Sequence, residues 1–469
     1  MPRKSGARKS WKRDSLEEID VTFRNCLVYQ NGEFVKMDLH VENGIFVDEP
    51  SAPFIDATGY YVMPGFVDTH AHIIGTGHKY GYLNLENVRS LEELLEALRQ
   101  SPEKTIIGRG WSEESLGSKP TKQLLDQIDK PVFLIRRCGH VAIANSALME
   151  LIGIWKEDGV FKEKELEEVR KRLPSREDEK FFAIGQKRFL MHGVTFVHSD
   201  DLHGLSWANL KDIIKSSKMR LLEKVYFESV SELESFNEFG QLSDRVYVKA
   251  VKVFADGSVG ARTAWLSVPY ADDPENCGMK LLDEEQLERF ATLCDEKNVQ
   301  LCVHAIGDEA VHMVATVFSR HPNHRVIHAQ LVKERDLSML KDSFFSIQPH
   351  FAIEDRGLME SALPKDLKAL RYPFLLLFER GFKIAFSTDA PVSPEDPKYV
   401  IEAALKLGFT KRQAIELYTM AGARMAGLKN LGEIRTNFLA DFCLYERDPL
   451  LFDEDPVAVY VAGELVHQK

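Results

Sequence analysis

The chain has 469 residues and a mass of 53.4 kDa, which allows about two to four domains or one large barrel with additions. Its hydrophobic fraction of 44% and charged fraction of 28% exclude a fibrous or disordered chain. The formal net charge of −12 argues against nucleic acid and anionic membranes as partners, because both require a basic surface. No apolar run approaches the roughly 18 residues that a membrane-spanning helix needs.

The first 13 residues form a basic head with six Lys or Arg and no acid. The head lacks the apolar core of a secretory signal, so we predict a flexible tail over residues 1–18 and assign it no function. The six cysteines form no Cys-x-x-Cys pair. Without a signal peptide, the sequence predicts reduced thiols and a cytoplasmic location.

Short alternating strands are predicted at both ends of the chain. Residues 19–62 alternate apolar and polar side chains, with Asn-Gly turn signals at 31–32 and 43–44. Residues 432–469 have the same character. The N-terminal strands are too few to close a sheet alone, so we predict one small β-sandwich domain composed of both ends.

The middle of the chain alternates strands with helices, a pattern that predicts βα units around a parallel sheet. Eight strands are predicted at about residues 61–68, 193–199, 219–227, 245–254, 299–305, 325–330, 344–350 and 383–389. Eight such units predict an α/β protein with a TIM-type (β/α)8 barrel, whose chemistry lies at the carboxyl ends of the strands. The barrel is expected over 63–77 and 192–431, with a cap inserted over its mouth at 78–191.

Five candidate metal ligands lie at or just after predicted strand ends. His70 and His72 follow the first strand, and alternate residues of an extended chain point the same way. The other three are His304, His328 and Asp389, which end the fifth, sixth and eighth strands. A lone histidine is more often a hydrogen-bonded core or surface residue, whereas this set converges at one barrel mouth. Histidine together with carboxylate suits Zn²⁺ or a similar divalent ion.

Lys252 lies in the apolar fourth strand, where a lysine is costly unless something engages it. Its position has two explanations. The side chain either extends to solvent, or it takes up carbon dioxide and forms a carbamate that bridges two metal ions. Lys249 lies on the opposite face of the same strand.

Six segments carry these residues in a recognisable order. They are PGFVDTHAH, VKVFADGSVGARTAWL, VHAIGDEA, HRVIHAQL, QPHF and STDAPVSP. Together they resemble the amidohydrolase superfamily, and within it the amidohydrolase family 3 branch, which includes enzymes acting on N-substituted formamides. The resemblance runs from about residue 20 to residue 469. It implies a distorted (β/α)8 barrel beside a composite β-sandwich, with one or two divalent metal ions, expected to be zinc.

The resemblance also implies roles for the candidate ligands. The two histidines after the first strand would bind one metal ion together with Asp389. His304 and His328 would bind a second ion, and carboxylated Lys252 would bridge the two. The chain departs from the branch at Ile327, where a glutamate usually precedes the histidine, but this departure removes no ligand.

Residues near the substrate are implied by two segments of the insertion, GRGWSEES and RCGHVAIANSAL, which match this branch. They suggest that Trp111, His140 and Asn145 lie near the substrate. His350 either helps to polarise the substrate or packs behind the ligands. Arg262 either binds a substrate carboxylate or pairs with one of the many acids of the chain.

The expected reaction is hydrolysis of an amide-type C–N bond in a small molecule. A metal-bound hydroxide attacks the carbonyl carbon, and Asp389 takes the proton and delivers it to the leaving nitrogen. Two alternatives stay open, a deaminase acting on a ring amine and a non-catalytic relative. Deaminases of this superfamily carry a glutamate near the fifth-strand histidine, whereas His304 is followed by Ala-Ile-Gly-Asp. The sequence also leaves a homo-oligomer open.

Overall fold

The computed structural model describes most of the chain. The described residues are 20–50, 53–137, 141–173, 178–201 and 205–469. The tail expected over 1–18 and the substrate contact expected at His140 lie outside these ranges. No helix within the described ranges is both long and apolar enough to cross a membrane.

The described chain begins with strands joined by tight turns. They are β1 (Val21–Gln30), β2 (Glu33–Glu42), β3 (Ile45–Val47), β4 (Phe54–Asp56) and β5 (Tyr61–Pro64). The Asn-Gly pairs at 31–32 and 43–44 have positive φ angles, between 50° and 102°. Two-residue hairpin turns need this conformation, so the structure confirms both predicted turns.

The segment predicted as one strand over 61–68 is in fact two strands. β5 pairs with β1, whereas β6 (Phe66–Ala71) begins the barrel. Gly65 separates them, and its amide donates to the Asp441 carbonyl at 3.0 Å. A Cβ on Gly65 would lie 2.1 Å from Thr195 Oγ1, so only glycine fits where the chain passes between the two sheets.

After β6 and helix α1 (Ile73–Gly81), the insertion forms a sheet of its own. Its elements are β7 (Leu83–Asn84), α2 (Leu91–Gln100), β8 (Ile106–Trp111), α3 (Glu113–Leu116), α4 (Lys122–Leu125), β9 (Val132–Arg136), β10 (Val141–Ala144), α5 (Ser146–Ile152), β11 (Val160–Lys162) and α6 (Glu163–Arg172). The sheet order is β11-β10-β9-β8-β7, with an apolar cluster on each face. We call this unit the cap.

The rest of the barrel follows in helices and strands. They are α7 (Asp178–Met191), β12 (Val194–Ser199), α8 (Trp207–Ile214), β13 (Arg220–Tyr226), α9 (Val230–Ser235), β14 (Gly240–Ser243), β15 (Val246–Phe254), α10 (Glu284–Glu296), β16 (Gln300–Ala305), α11 (Asp308–Phe318), β17 (Arg325–His328), β18 (Phe344–Ile347), α12 (Phe351–Glu354), α13 (Arg356–Ala362), α14 (Lys365–Lys368), α15 (Phe374–Glu379), β19 (Lys383–Phe386), α16 (Pro397–Lys406), α17 (Lys411–Leu417) and α18 (Met420–Met425). Short 3-10 helices occur at Glu334–Asp336 and Pro449–Leu451.

In the described chain, eight parallel strands form a nearly closed barrel in the order β6-β12-β13-β15-β16-β17-β18-β19. Each overlaps one of the eight predicted strands, so the predicted TIM-type barrel is confirmed. Helix α7, which was expected within the cap, packs directly on α1. A Cβ on Gly77 would lie 1.8 Å from the Phe181 carbonyl oxygen, which shows how closely the two helices approach.

The chain ends with strands that extend its first sheet. They are β20 (Phe442–Tyr445), β21 (Ala458–Val461) and β22 (Glu464–Gln468). The order is β22-β21-β20-β5-β1-β2-β3, with β4 beside β1. Phe442 and Tyr460 stack at 4.6 Å between ring centroids, and Phe23 meets both rings edge-on. The two ends of the chain therefore share one core, and a buried Arg220–Asp441 ion pair of 2.8 Å attaches that core to the barrel.

Glu395 ties the loop after the last barrel strand to the first two barrel helices. Its side chain is 1% exposed and accepts hydrogen bonds from Arg188 Nε at 2.7 Å and Tyr80 Oη at 3.1 Å. His192 lies 3.7 Å away. Burial by itself raises the pKa of Glu395, but His192 and Arg188 outweigh burial and hold that pKa at about 2.

Replacing Glu395 with Gln should destabilise the protein at pH 7, because it removes the carboxylate that pairs with Arg188. The folded pKa of Glu395 lies below its ordinary value of 4.5, so its contribution is complete above pH 4.5 and is lost as the pH falls towards 2. The wild-type advantage over Glu395→Gln, of the order of 3 kcal/mol, should shrink in that window. Urea unfolding from pH 7 to pH 3 measures it.

The control is Glu416→Gln, which removes the partner of Arg412 in an exposed ion pair. This variant should differ little from the wild type at any pH, because exposed pairs contribute at most about 1 kcal/mol. A wild-type advantage over Glu395→Gln that stays constant down to pH 3 would contradict the assignment.

Candidate metal centre

The carboxylate of Asp68 joins the first barrel strand to the loop after the last. It is fully buried and accepts the His70 amide at 3.1 Å, together with the Thr388 amide and hydroxyl at 3.1 and 2.6 Å. Tyr418 donates its hydroxyl at 2.9 Å. The Asp389 amide also donates to the His70 carbonyl at 2.8 Å. These bonds hold the strand end that carries the two histidines against Asp389.

Four of the five ligands predicted on strand ends meet at the barrel mouth. Asp389 Oδ1 lies 3.1 Å from His70 Nε2 and 3.5 Å from His72 Nε2. In the part of the chain that the structure describes, two sets have ligand atoms all within 4.8 Å of one another. One is His70, His72 and Asp200, and the other is His70, His328 and Asp389. These imidazole and carboxylate donors fit Zn²⁺ and similar divalent ions.

His304, the fifth predicted ligand, lies beside this group. Its ring centroid is 4.6 Å from that of His328, and its Nε2 donates to the Gly257 carbonyl at 3.0 Å. Its Nδ1 is therefore the nitrogen left for an ion. Burial, followed by the charge of Lys252, lowers the pKa of His304 to about 4. The ring is neutral at pH 7, which is the form that binds metals.

Two residues of the centre have a left-handed backbone. The φ angle is +74° at His328 and +59° at Asp389. A residue with a Cβ in this region costs of the order of 1–3 kcal/mol, and such residues concentrate where a site needs particular side chains. At Asp389 the conformation is held by the bond to the His70 carbonyl and by the Val392 amide, which donates to the Asp389 carbonyl at 2.9 Å. This strain indicates a functional centre at these strand ends.

Asp200 is a candidate ligand that the motif set does not include. It directly follows β12, so the expectation that chemistry lies at strand carboxyl ends would have identified it. Its Oδ1 lies 2.7 Å from His72 Nδ1. Burial by itself lowers the pKa of His72, but the carboxylates of Asp200 and Asp389 outweigh burial and raise that pKa to about 10.

Two buried lysines lie against these ligands. Lys252 is 1% exposed and pairs with Asp200 at 2.5 Å, so the explanation in which it extends to solvent is wrong. Lys224, on β13, is fully buried, with Nζ 3.1 Å from His70 Nδ1, and it donates to the His198 carbonyl. Burial lowers the pKa of Lys224 to about 8. Lys224 has the same sequence signal as Lys252, a lysine inside an apolar strand.

Gln348 orients His328 from the neighbouring strand end. His328 Nδ1 donates to Gln348 Oε1 at 2.9 Å, and Gln348 Nε2 donates to Ser387 Oγ at 2.9 Å. Because an amide oxygen only accepts, this bond assigns the ring proton to Nδ1 and leaves Nε2 for an ion. Burial, followed by the charge of His304, lowers the pKa of His328 well below its ordinary value.

Trp111 and Asn145, which the resemblance suggests lie near the substrate, make their contacts inside the cap. Trp111 is fully buried, and its Nε1 donates to the Leu134 carbonyl at 3.1 Å. Asn145 is also fully buried, and its Oδ1 accepts the Leu148 amide at 3.0 Å where α5 begins. Both side chains hold the cap together, and the structure does not bring them to the barrel mouth.

A β-bulge at Gly110 explains why Trp111 turns into the core. Gly110 has a φ angle of +103°, and the pairing of β8 with β9 shifts between Arg109 and Trp111. In a regular strand, residues two apart share a face. The bulge instead turns them to opposite faces, so Arg109 lines a cavity and Trp111 joins the core behind it.

Arg262 and His350 have different surroundings. Arg262 Nε donates to Asp272 Oδ1 at 2.9 Å, which is the second of its two predicted roles. His350 is 2% exposed, and its ring nitrogens have no side-chain hydrogen-bond partner among the described residues, although the Thr388 backbone acts on its pKa. Burial lowers the pKa of His350 to about 4. His350 therefore stays a candidate for contact with a bound molecule.

A cavity of about 1220 Å³ lies between the cap and the barrel mouth, and we call it the cap cavity. His72 and Asp201 line it on the barrel side, and Ile107, Arg109 and Ile135 line it on the cap side. The candidate metal centre therefore opens into a space large enough for a small molecule.

Comparison with known proteins agrees with this geometry. Residues 54–467 match the sequence profile of the amidohydrolase family. The chain belongs to the amidohydrolase family. The Bacillus subtilis (strain 168) protein YtcJ, whose name describes it as an amidohydrolase, is 29% identical over 90% of this chain and 91% of its own length.

Two solved structures also resemble this amidohydrolase closely. They are crystal structures of uncharacterised metal-dependent hydrolases from Pyrococcus furiosus and Pyrococcus horikoshii OT3, each 29% identical to this chain. Their TM-scores are 0.83 and 0.84, and the matches cover 92% and 95% of this chain and 100% of each relative. These matches establish that the chain has the fold of the metal-dependent hydrolases and belongs to their superfamily.

Replacing Gln348 with Leu should weaken metal binding by this amidohydrolase, because His328 loses the acceptor that fixes its ring. Loss of such a partner typically costs about 10–100-fold in metal affinity. Competition with a chromophoric chelator measures the Kd. Gln348→Glu keeps an acceptor oxygen and should stay within a few-fold of the wild type. Equal Kd values for Gln348→Leu and the wild type would show that the bond does not support metal binding.

Proposed function

We propose that this amidohydrolase cleaves an amide-type C–N bond of a small molecule, with a divalent ion, expected to be zinc, as its cofactor. The buried imidazole and carboxylate groups around Asp389, facing the cap cavity, are the observation that supports the proposal. A divalent ion held by such donors lowers the pKa of water and polarises a carbonyl oxygen.

The proposed ligands follow the resemblance, with one addition. The two histidines of β6 and its end bind one ion together with Asp389, and His304 and His328 bind a second. Asp200 offers the first ion a further carboxylate, because its ligand atom lies within 4.8 Å of those of both β6 histidines.

The state of Lys252 is linked to the number of ions. As an ammonium, Lys252 balances the charge of Asp200 at 2.5 Å. As a carbamate, it would place a second anion there, which is favourable only when cations lie between the two groups. We therefore propose an ammonium with one ion and a bridging carbamate with two ions.

Asp389 is the proposed acid and base of the reaction. It would take a proton from the attacking water and deliver it to the leaving nitrogen. Its side chain is 9% exposed and lies against the nitrogens of His70 and His72, where it reaches the centre without facing bulk water. The cap covers the mouth and limits the access of solvent to the bond being broken.

The state of the cysteines bears on the cellular location of the protein. The cysteines of the described residues are free, and four of these five are buried. Free thiols support the proposed cytoplasmic location. The size of the cap cavity supports a small molecule as the partner.

Replacing Asp389 with Asn should lower kcat by about 10²–10⁴-fold, the usual contribution of a general acid or base. Assays on amides should be run together with metal analysis, because the residue is also a proposed ligand. Asp295→Asn, on an exposed carboxylate of α10, is the matched control and should keep full activity. Unchanged turnover of Asp389→Asn at full metal content would refute the role.

Replacing Lys252 with Ala should lower the metal content from two ions per chain to one, because the bridging carbamate is lost. A short carboxylate such as acetate fits the vacated space and should restore part of the activity. Lys249→Ala, on the exposed face of the same strand, should change neither quantity. One ion in both the wild type and Lys252→Ala would show that Lys252 acts as an ammonium.

A further inference from the structure

Arg109 is a charged side chain of the cap cavity without an acceptor of its own. It lies two residues after Ile107 on β8 and pairs in register with Ile135 on β9, so apolar side chains flank it. Within the described ranges, its guanidinium makes no hydrogen bond and no ion pair, and it interacts with nearby groups only through longer-range electrostatics. A half-buried arginine in such a place is costly unless a ligand supplies the acceptor.

The carboxylates that line the cap cavity are engaged elsewhere. Glu103 pairs with Lys180 at 3.7 Å. Asp201 accepts the backbone amides of Ile73 and Ile74 at 3.1 and 2.9 Å and the hydroxyl of Ser199, which holds it at the start of α1. Asp178 lies 3.7 Å from His78. None of these pairings involves Arg109.

A second arginine adds to the positive charge of the same wall. Arg170 also lines the cap cavity. Burial, followed by the charge of Arg170, lowers the pKa of Arg109, while Glu86 and Tyr82 act in the opposite direction. Glu86 is exposed, so water screens its attraction. Positive charges that share a cavity wall attract an anion into the cavity.

We propose that Arg109 binds a carboxylate of the substrate, so that the substrate is an amide that also carries a carboxylate. This rests on the proposed amide hydrolysis. A guanidinium binds a carboxylate through two parallel hydrogen bonds, and the apolar flanks exclude competing water. The cap cavity, lined by Arg109 on one side and His72 on the other, has room for a molecule that reaches both.

Isothermal titration of the metal-loaded protein with benzoate, benzamide and phenyl phosphate tests the subsite, and repeating it after metal removal excludes direct ligation of the ion. We expect benzoate to bind in both states, with a Kd raised at least about tenfold by Arg109→Gln, and benzamide to be insensitive to the variant. Arg109→Lys should be intermediate. Arg99→Gln, which removes an exposed arginine of α2, should leave the benzoate Kd unchanged.

Two binding results would overturn the proposal. One is an equal benzoate Kd for the wild type and Arg109→Gln, with thermal melts showing that both are folded. The other is phenyl phosphate that binds more tightly than benzoate through Arg109, which would assign the subsite to phosphate.

Kinetics on matched amide pairs, such as hippurate beside its neutral carboxamide, separate the two proposals. We expect kcat/KM to favour the carboxylate member, and Arg109→Gln to remove that preference through KM. If the amides are hydrolysed but the preference in kcat/KM is the same in the wild type and Arg109→Gln, the carboxylate subsite is refuted and the proposed amide hydrolysis is retained. If benzoate binding depends on Arg109 but no amide pair is hydrolysed, the subsite is retained and the proposed amide hydrolysis is refuted.

Discussion

The seam between the first and last barrel strands is the contact on which the candidate centre depends. The barrel ladder runs from β6 round to β19, and the two end strands meet through side chains and loop backbone. Asp68 contributes to this contact by accepting bonds from Thr388 and Tyr418, and on its own strand it accepts the amide of His70. Burial raises the pKa of Asp68 to about 6, yet the carboxylate is ionised at pH 7, where its hydrogen bonds are strongest. Because the seam and the centre share residues, closing the barrel also assembles the ligands.

Charge balance is the second constraint on the centre. Of the two buried lysines, Lys252 pairs with Asp200 and Lys224 lies against His70. Burial, followed by the charge of Lys252, keeps the pKa of His304 low. Neutral imidazoles are ready to bind a metal, but an added cation is repelled by the same ammonium groups. The centre therefore needs anionic charge in proportion to its ions, from carboxylates, from a carbamate or from the substrate. This requirement makes the state of Lys252 part of the metal chemistry rather than a separate feature.

The barrel and most of the candidate centre were predictable because their signals are local. Eight apolar runs separated by helices predict the barrel, and ligands at strand ends need only the parallel order of those strands. Asp200 and Lys224 carried the same kinds of signal but lie outside the motifs of the resemblance. Trp111 could not be placed from its sequence, because a bulge at Gly110 reverses the face that a regular strand would give it. A single glycine with a positive φ angle thus leaves Arg109 facing the cavity and turns Trp111 away from it.

The position of Arg109 also shows that the net charge of the chain does not describe the charge inside the cap cavity. With a formal charge of −12, the surface as a whole repels anions, and net charge alone would argue against an anionic substrate. Surface charges are screened beyond about 8 Å at physiological salt, however, whereas a half-buried guanidinium acts at contact distance with little water between. With Arg109 as the proposed carboxylate site, the local arginines outweigh the net charge inside the cap cavity. On this proposal, a few residues of the cap wall select the substrate, and the barrel residues beneath them determine which bond is broken.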